Sequence, residues 1–423
     1  MMFKKYDAYK DSGVDWIGSI PTHWNVLKLG SIFEQRNEKV SDQDYPALSV
    51  TKNGIVPQLD NAAKTKDGDN RKLVLEGDFV INSRSDRKGS SGLSSLDGSV
   101  SLINIVLKPR KIEPKFSHHL MKCNAFIEEY YRVGRGIVAD LWTTRFEEMK
   151  TMNLALPNIE EQRKITEFLD HKTTEIDQAI AIKEQQIALL NERKQIVIQK
   201  AVTQGLDPNV LMKDSGLNGV GNIPQDWHIL KFKYLAKVRY GLGQPPKQLD
   251  NGLKIIRATN VERGKIVEKG MLYIDPNDIP WDRNPTLNKD EIIVVRSGAY
   301  TGDSAIVTEE YAGCIAGYDM VATPFNCDPK FLSIVLLSHY VLYEQIYLLR
   351  IRSAQPHLNA EELNELQIVV PPINQQRLIA NYIEQVESDI DQAISLTKRQ
   401  IEKLKEYKTT LINDAVTGKI KVA

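Results

Sequence analysis

The sequence predicts a mixed α+β chain in which one unit, an α/β domain followed by a long helix, is used twice. Three observations predict it. Pro157–Leu206 and Pro371–Ile420 align without a gap at an offset of 214 residues, sharing Gln162-Arg163/Gln376-Arg377, Ile176–Ile180/Ile390–Ile394 and Ala201–Thr203/Ala415–Thr417. Residues 11–28 and 214–231 align at an offset of 203, sharing Asp-Ser-Gly, Gly18/Gly221, Ile20-Pro21/Ile223-Pro224, Trp24/Trp227 and Lys28/Lys231. Between these conserved pieces lie two divergent segments, roughly 26–153 and 229–367, with the same order of signals. Repeats of this kind constrain a fold before local propensity does.

The long helices come first in the argument. Ile176, Ile180, Ile187, Leu190 and Val197 step by threes and fours or their sums, as do Ile390, Ile394, Ile401, Leu404 and Leu411. That spacing is a coiled-coil seam with charged residues on the other faces. No Pro or Gly interrupts either run before Gly205 and Gly418, where a stop is expected. Each helix therefore spans roughly 45 residues, or about 65 Å. Lys183 and Lys194 interrupt the first seam, and Thr397 and Lys408 the second, at matching places. The plain reading is that these side chains snorkel at the seam edge; the alternative is that they fix register. Neither helix buries its stripe alone, so two matched stripes most simply bury each other. Parallel and antiparallel pairing are both sterically open, and the antiparallel one relates the two halves by an approximate two-fold axis.

Each lead-in segment is punctuated by Gly and Pro, with Trp24 or Trp227 as a core anchor in preference to a base-stacking group. In the divergent segments, strand-like runs occur at Phe79–Ile81, Ser101–Leu107, Ile255–Arg257, Ile292–Val295 and Met320–Thr323. Asp78–Ser85 matches Asp290–Ser297 at an offset of 212, each ending in Arg-Ser. Pro114-Lys115-Phe116 and Pro329-Lys330-Phe331 open helices running to about Arg132 and Arg350. The predicted division is 1–153, a first α/β domain with its lead-in; 154–206, a long helix; 207–367, a second domain; and 368–423, a second long helix. The chain is then nearly circular, with its last helix ending near its first residues.

Composition narrows the function classes. There are 55 basic and 55 acidic residues and no net charge, which argues against a stand-alone non-specific DNA binder but not against local basic patches. No apolar run reaches membrane-span length and no signal peptide is evident, so a cytoplasmic protein is expected. Cys123, Cys314 and Cys327 form no CxxC pair and read as reduced thiols. There is no G-x-x-x-x-G-K-[ST] phosphate loop, and Pro245-Pro246 and Pro371-Pro372 stand outside any Asn/Asp-Pro-Pro-aromatic methyltransferase motif. Gly134-Arg-Gly136 and Gly241-Leu-Gly243 lack the third glycine of a dinucleotide fingerprint, and the adjacent His118-His119 pair is poorly spaced for one metal. Glu160-Glu161 and Glu361-Glu362 sit at helix starts, where they suit the macrodipole. No catalytic or metal-binding residue is assigned.

The duplicated Ile-Pro-x-x-Trp lead-ins, the paired Pro-to-Gln helix openings and the two divergent domains together resemble the specificity subunit of type I restriction–modification systems, over essentially the whole chain. The resemblance implies two target recognition domains, each reading half of a split, asymmetric DNA site, and an antiparallel coiled coil that spaces them with pseudo-two-fold, circular organisation. It also implies double-stranded DNA, two modification subunits and two restriction subunits as partners, with no membrane. The subunit itself is then no enzyme and holds no cofactor. S-adenosylmethionine, ATP and Mg serve partner subunits that methylate adenine or cleave DNA. The competing readings are an enzyme with an unrecognised active site and a coiled-coil scaffold without a nucleic-acid role.

Arg, Lys, Asn, Gln, Ser and Thr on loops read base edges. In the first domain the candidates are Lys52, Arg71 and Lys72 beside polar loops, Arg84, Arg87 and Lys88 in Asn82–Gly89, and Arg135 and Arg145 around a Gly-rich turn. In the second they are Arg257, Asn260 and Arg263 at a strand end, Arg296 and Tyr300 in RSGAYTG, and Arg352, Gln355 and His357 in RIRSAQPH. For any one of them a solvated surface charge is the plainer reading, and a phosphate contact precedes a base contact.

Overall fold

The structure, a computed structural model, describes residues 3–60, 68–136, 142–350 and 356–422, without the side chains of Ser85 and Arg350. The chain divides into two compact units: Met1–Glu184 with Lys398–Ala423, and Gln185–Thr397. No single helix among the described residues is long and apolar enough to cross a membrane. The three cysteines are buried and free.

The helices form where the seam predicts them, at Ile159–Gln204 and Ile373–Val416. Both stop at glycine: Gly205 and Gly418 have φ of +77° and +74°, a left-handed conformation that a side chain disfavours. In the first unit Asp177 meets Lys408 (2.6 Å) and Lys183 donates to Gln400 (2.6 Å), so residue numbers rise on one helix as they fall on the other. In the second unit Lys194 reaches Glu387 and Asp391 (both 3.2 Å), and Ile198, Ala201 and Val202 share a core with Ile379, Ala380 and Ile383. The pairing is antiparallel in each. Of the four seam interruptions, the three lysines do more than snorkel: each bonds a polar group on the facing helix, and Asp177–Lys408 and Asp391–Lys194 are the same contact at the 214-residue offset. Thr397 turns back onto its own helix, donating to the Ala393 carbonyl.

Each unit repeats one framework. A hairpin (Tyr9–Asp11 with Ser19–Pro21; Met212–Asp214 with Asn222–Pro224) leads to a two-stranded ladder that ends at the long-helix start. Trp24 and Trp227 are buried, and their indole N–H groups donate to Glu161 (3.2 Å) and Gln375 (2.8 Å), the same position on the two helices. They are core anchors, as the sequence suggested. The repeated Gln162 and Gln376 are buried latches: each accepts from the backbone N–H of Glu113 or Asp328 and donates to the carbonyl of Pro157 or Pro371. In the first unit Lys421 N–H donates to the Lys4 carbonyl (2.8 Å), bringing the chain's two ends together as expected.

The domain of each unit is built on a four-stranded antiparallel sheet. Across the sheet the order is Ser91–Leu93, Phe79–Asn82, Asn104–Pro109, Phe33–Arg36 in the first, and Ser304–Ile306, Ile292–Val294, Met320–Pro324, Ala236–Tyr240 in the second. Arg36 pairs with Asp78, and Arg239 with Glu291, at equivalent places. The ladders correct the sequence alignment by one residue. Ile81 faces Ser91 and Ile105, as Val294 faces Ser304 and Met320, so the equivalence runs at 213 and not 212. Arg84 therefore corresponds to Ser297, and Arg296 to Ser83. A one-residue shift turns a side chain to the other face of a strand, so the matching Arg-Ser pairs were a coincidence.

The helices after Pro114 and Pro329 do not run unbroken. Cys123 (ψ 150°) and Ser338 (ψ 154°), equivalent at an offset of 215, are extended and restart the chain as a new helix. At the first break the Cys123 sulfur accepts from Phe126 N–H (3.4 Å).

His118 and His119 prove to be packing groups. His119 bonds Asp170 on the long helix (2.7 Å), and His118 Nδ1 accepts from Leu93 N–H (3.2 Å). Burial, helped by His119 and Lys122, lowers His118 to about 4. A histidine whose folded value lies below its unfolded value costs stability as pH falls from about 6.5 towards 4, here by up to about 3 kcal/mol. Urea unfolding at pH 7 and at pH 4.5 should show that loss, and H118N, which keeps an acceptor but cannot titrate, should reduce it.

Candidate nucleic-acid interface

In the second unit the chain leaves strand Ile292–Val294 into a loop held from outside by the segment 356–358. Ser297 and His357 form a bridge, Leu358 N–H donates to the Arg296 carbonyl (2.8 Å), and Gly298 N–H donates to the Pro356 carbonyl (3.2 Å). Arg296 stands at the centre. Its guanidinium carbon lies 4.6 Å from the Tyr240 ring centre and 4.4 Å from that of Tyr318. One terminal nitrogen is 3.4 Å from His357 Nε2, while Nε is buried with no partner. Cation–π contact with the two rings holds the guanidinium without using its terminal N–H donors. Beneath it, Asp319 accepts from Arg296 N–H (3.2 Å), and burial raises this carboxyl to about 6. Tyr300 is exposed on the same loop.

Other candidates in this unit are tied differently. Asn260 is fully buried and donates to the carbonyls of Val267 and Lys269, so it is framework and not a contact. Arg257 donates to the Gly270 carbonyl (2.8 Å) and lines a cavity of about 360 Å³ together with Tyr318 and Asp319. Arg263 is exposed but engaged with Asp303 and the Tyr343 hydroxyl. Arg352 and Gln355 lie outside the described residues. Sequence reading missed Tyr240, Tyr318 and the exposed Trp281. Only the composition of their Gly- and Pro-rich loops could have flagged them, because no periodicity marks a clamp assembled from three strand ends.

In the first unit the polar rim is assembled from loops. Arg84 and Arg135 both form bridges to Thr143, and Thr144 N–H donates to the Ser83 carbonyl (3.0 Å), which brings Arg84, Arg135 and Arg145 together. Arg84, Arg87, Lys88, Arg135 and Arg145 are all exposed. Lys88 pairs with Glu128 (2.6 Å), and Arg135 lies 3.6 Å from Glu148. Lys122 donates to the carbonyls of Lys52, Gly89 and Ser91, which ties the exposed Lys52 loop to this rim. Arg71 and Lys72 are corrections. Arg71 is buried with its guanidinium on Ser99, and Lys72 donates to the Asn104 carbonyl (2.7 Å), so both serve the fold. By sheet register Asn37, Ser83 and Ile103 stand where Tyr240, Arg296 and Tyr318 form the clamp. The two surfaces are thus chemically unlike.

Among the described residues no cluster of His, Cys, Asp or Glu is arranged to hold a metal.

A family profile described as the type I restriction modification DNA specificity domain matches residues 225–406. The chain is 24% identical to the type I restriction enzyme MjaVIII specificity subunit of Methanocaldococcus jannaschii, covering 100% of this chain and 98% of that one. It shares its fold with a chain from a structural study of complex assembly and conformational transition in the type I R-M system (TM-score 0.71, 15% identity, 94% and 98% coverage). It also shares it with the HsdS subunit from Thermoanaerobacter tengcongensis (TM-score 0.56, 15% identity, 95% and 98% coverage).

Proposed function

We infer, from the chain's membership of the family of type I restriction–modification specificity subunits, that it is the non-catalytic reader of a bipartite DNA site. The observation that carries this reading is one framework presenting two unlike polar surfaces: an arginine held by two tyrosines in one unit and a rim of exposed cations in the other. Each target recognition domain takes one half of an asymmetric site, and half-sites one helical turn apart, roughly 34 Å, lie on the same face of the duplex. The paired long helices set that spacing and dock the modification subunits. Two modification and two restriction subunits complete the assembly in the cytoplasm. S-adenosylmethionine, ATP and Mg act there, in adenine methylation or DNA cleavage, and none is held by this chain. The DNA-facing residues we assign are Lys52, Arg84, Arg87, Lys88, Arg135 and Arg145 for one half-site, and Arg257, Arg263, Arg296, Tyr300 and His357 for the other.

The test is to incubate the chain and its modification partner with S-adenosylmethionine and random-sequence DNA, then to sequence the methylated positions. A two-part motif with a fixed gap is expected. Methylation without a motif, or with a single contiguous one, would overturn the reading.

A further inference from the structure

The internal repeat fails at one corner. In the first unit, where the second long helix ends beside the start of the first, the corner holds two passes of chain: the residues after Gly418 and those from Phe3 onward. Tyr6 is 9% exposed there, stands edge-on to Trp24 with ring centres 6.2 Å apart, and donates its hydroxyl to Glu161 Oε1 (2.8 Å). Phe3 stands edge-on to Phe168 (5.7 Å). In the second unit a single run, residues 205–212, takes the place of both passes. At the repeat offsets Leu206 and Asn209 replace Phe3 and Tyr6, and Tyr382 replaces Phe168. The corner is left as an open hollow of about 620 Å³ lined by Trp227, Gln375, Leu206, Leu211, Leu378 and Ile379. Its apolar side chains are bare: Leu211 is 76% exposed, Leu378 62% and Leu206 45%. Contiguous apolar exposure of this kind marks an interaction site.

We propose that this hollow docks an extended segment of a partner protein carrying an aromatic side chain flanked by lysine or arginine, in the way Phe3–Tyr6 covers the apolar part of the corresponding corner of the first unit, where a smaller polar hollow of about 380 Å³ is left. Three features select that occupant. An aromatic ring beside Trp227 would reproduce the edge-on contact that Tyr6 makes with Trp24. Glu161 Oε1 accepts from both the Trp24 indole and the Tyr6 hydroxyl, whereas Gln375 Oε1 accepts from the Trp227 indole and keeps a lone pair for a second donor. The lining also carries Asp207 and Asp226 where the first unit has Lys421 and His23, so a basic flank is favoured here.

The probe is a fluorescein-labelled peptide with the sequence of residues 1–10, MMFKKYDAYK, titrated into the full chain. Saturable binding is expected. L378D and L211D should each weaken it at least ~tenfold, as should F3A and Y6A in the peptide. L189D, at an exposed helix position outside the hollow, should leave it unchanged. Leu378 and Leu211 are exposed, so these variants should keep the parent's thermal unfolding midpoint. No saturable binding, or binding indifferent to L378D and L211D, would overturn the proposal. So would dimerisation of the full chain that L378D abolishes, because the occupant would then be a second copy. Half-site selection by these variants should stay unchanged, so failure here would leave the DNA-reading role standing.

Discussion

Replacing Arg296 by alanine should remove discrimination at one base pair of one half-site and leave recognition of the other half-site intact. The guanidinium is fixed between Tyr240 and Tyr318 before any DNA arrives. Little ordering entropy remains to be lost on binding, and a bidentate contact to guanine O6 and N7 is the pairing its geometry suits. The expected cost is about 1–3 kcal/mol, roughly ten- to hundredfold, confined to one position of the site. R296K should not restore it, because an ammonium has no plane to stack and no fork to present. Binding measured on DNA altered in one half-site at a time decides the matter. Equal loss on every sequence would make Arg296 a phosphate contact instead. R84A should act on the opposite half-site in the same assay.

The second large effect concerns stability. W227A should destabilise the second unit by about 3–5 kcal/mol. The indole is 1% exposed, sits in the core with Ile223, Phe232 and Ile379, and bonds the long helix through Gln375. Its removal leaves a cavity and breaks the tie between the lead-in loop and the helix start. W24A should do the same in the first unit, where the indole is bonded to Glu161. Guanidinium unfolding followed by circular dichroism measures both. A loss under about 1 kcal/mol would show that the indole is not the anchor of its unit.

The sequence carried the rods, their stops and the duplicated framework plainly, because these depend on period and punctuation. Ile176 to Val197 can be read as a seam from spacing alone, and Gly205 and Gly418 as stops from residue type. Register was harder. Arg84 and Arg296 looked equivalent because both precede serine, but the ladder to Ser91 and Ser304 shows they are neighbours in the repeat and not counterparts. Burial was harder still. Arg71 and Asn260 look like surface groups in a polar loop, and only three-dimensional packing reveals Ser99 or the 267–269 backbone waiting for them. The tyrosine clamp draws on positions 240, 296 and 318, which are adjacent only after the sheet has formed.

The matched seam contacts bear on how such a chain arises. Asp177 takes its lysine from position 408, and Lys194 takes its aspartate from position 391, each the repeat counterpart of the other. A gene encoding only half of this protein would therefore specify a rod bearing both the acid and the base that an identical rod requires. Two such products could close the same seam and read a palindrome. Fusion of duplicated copies, followed by drift in one reader, is then a short route to an unsymmetrical target.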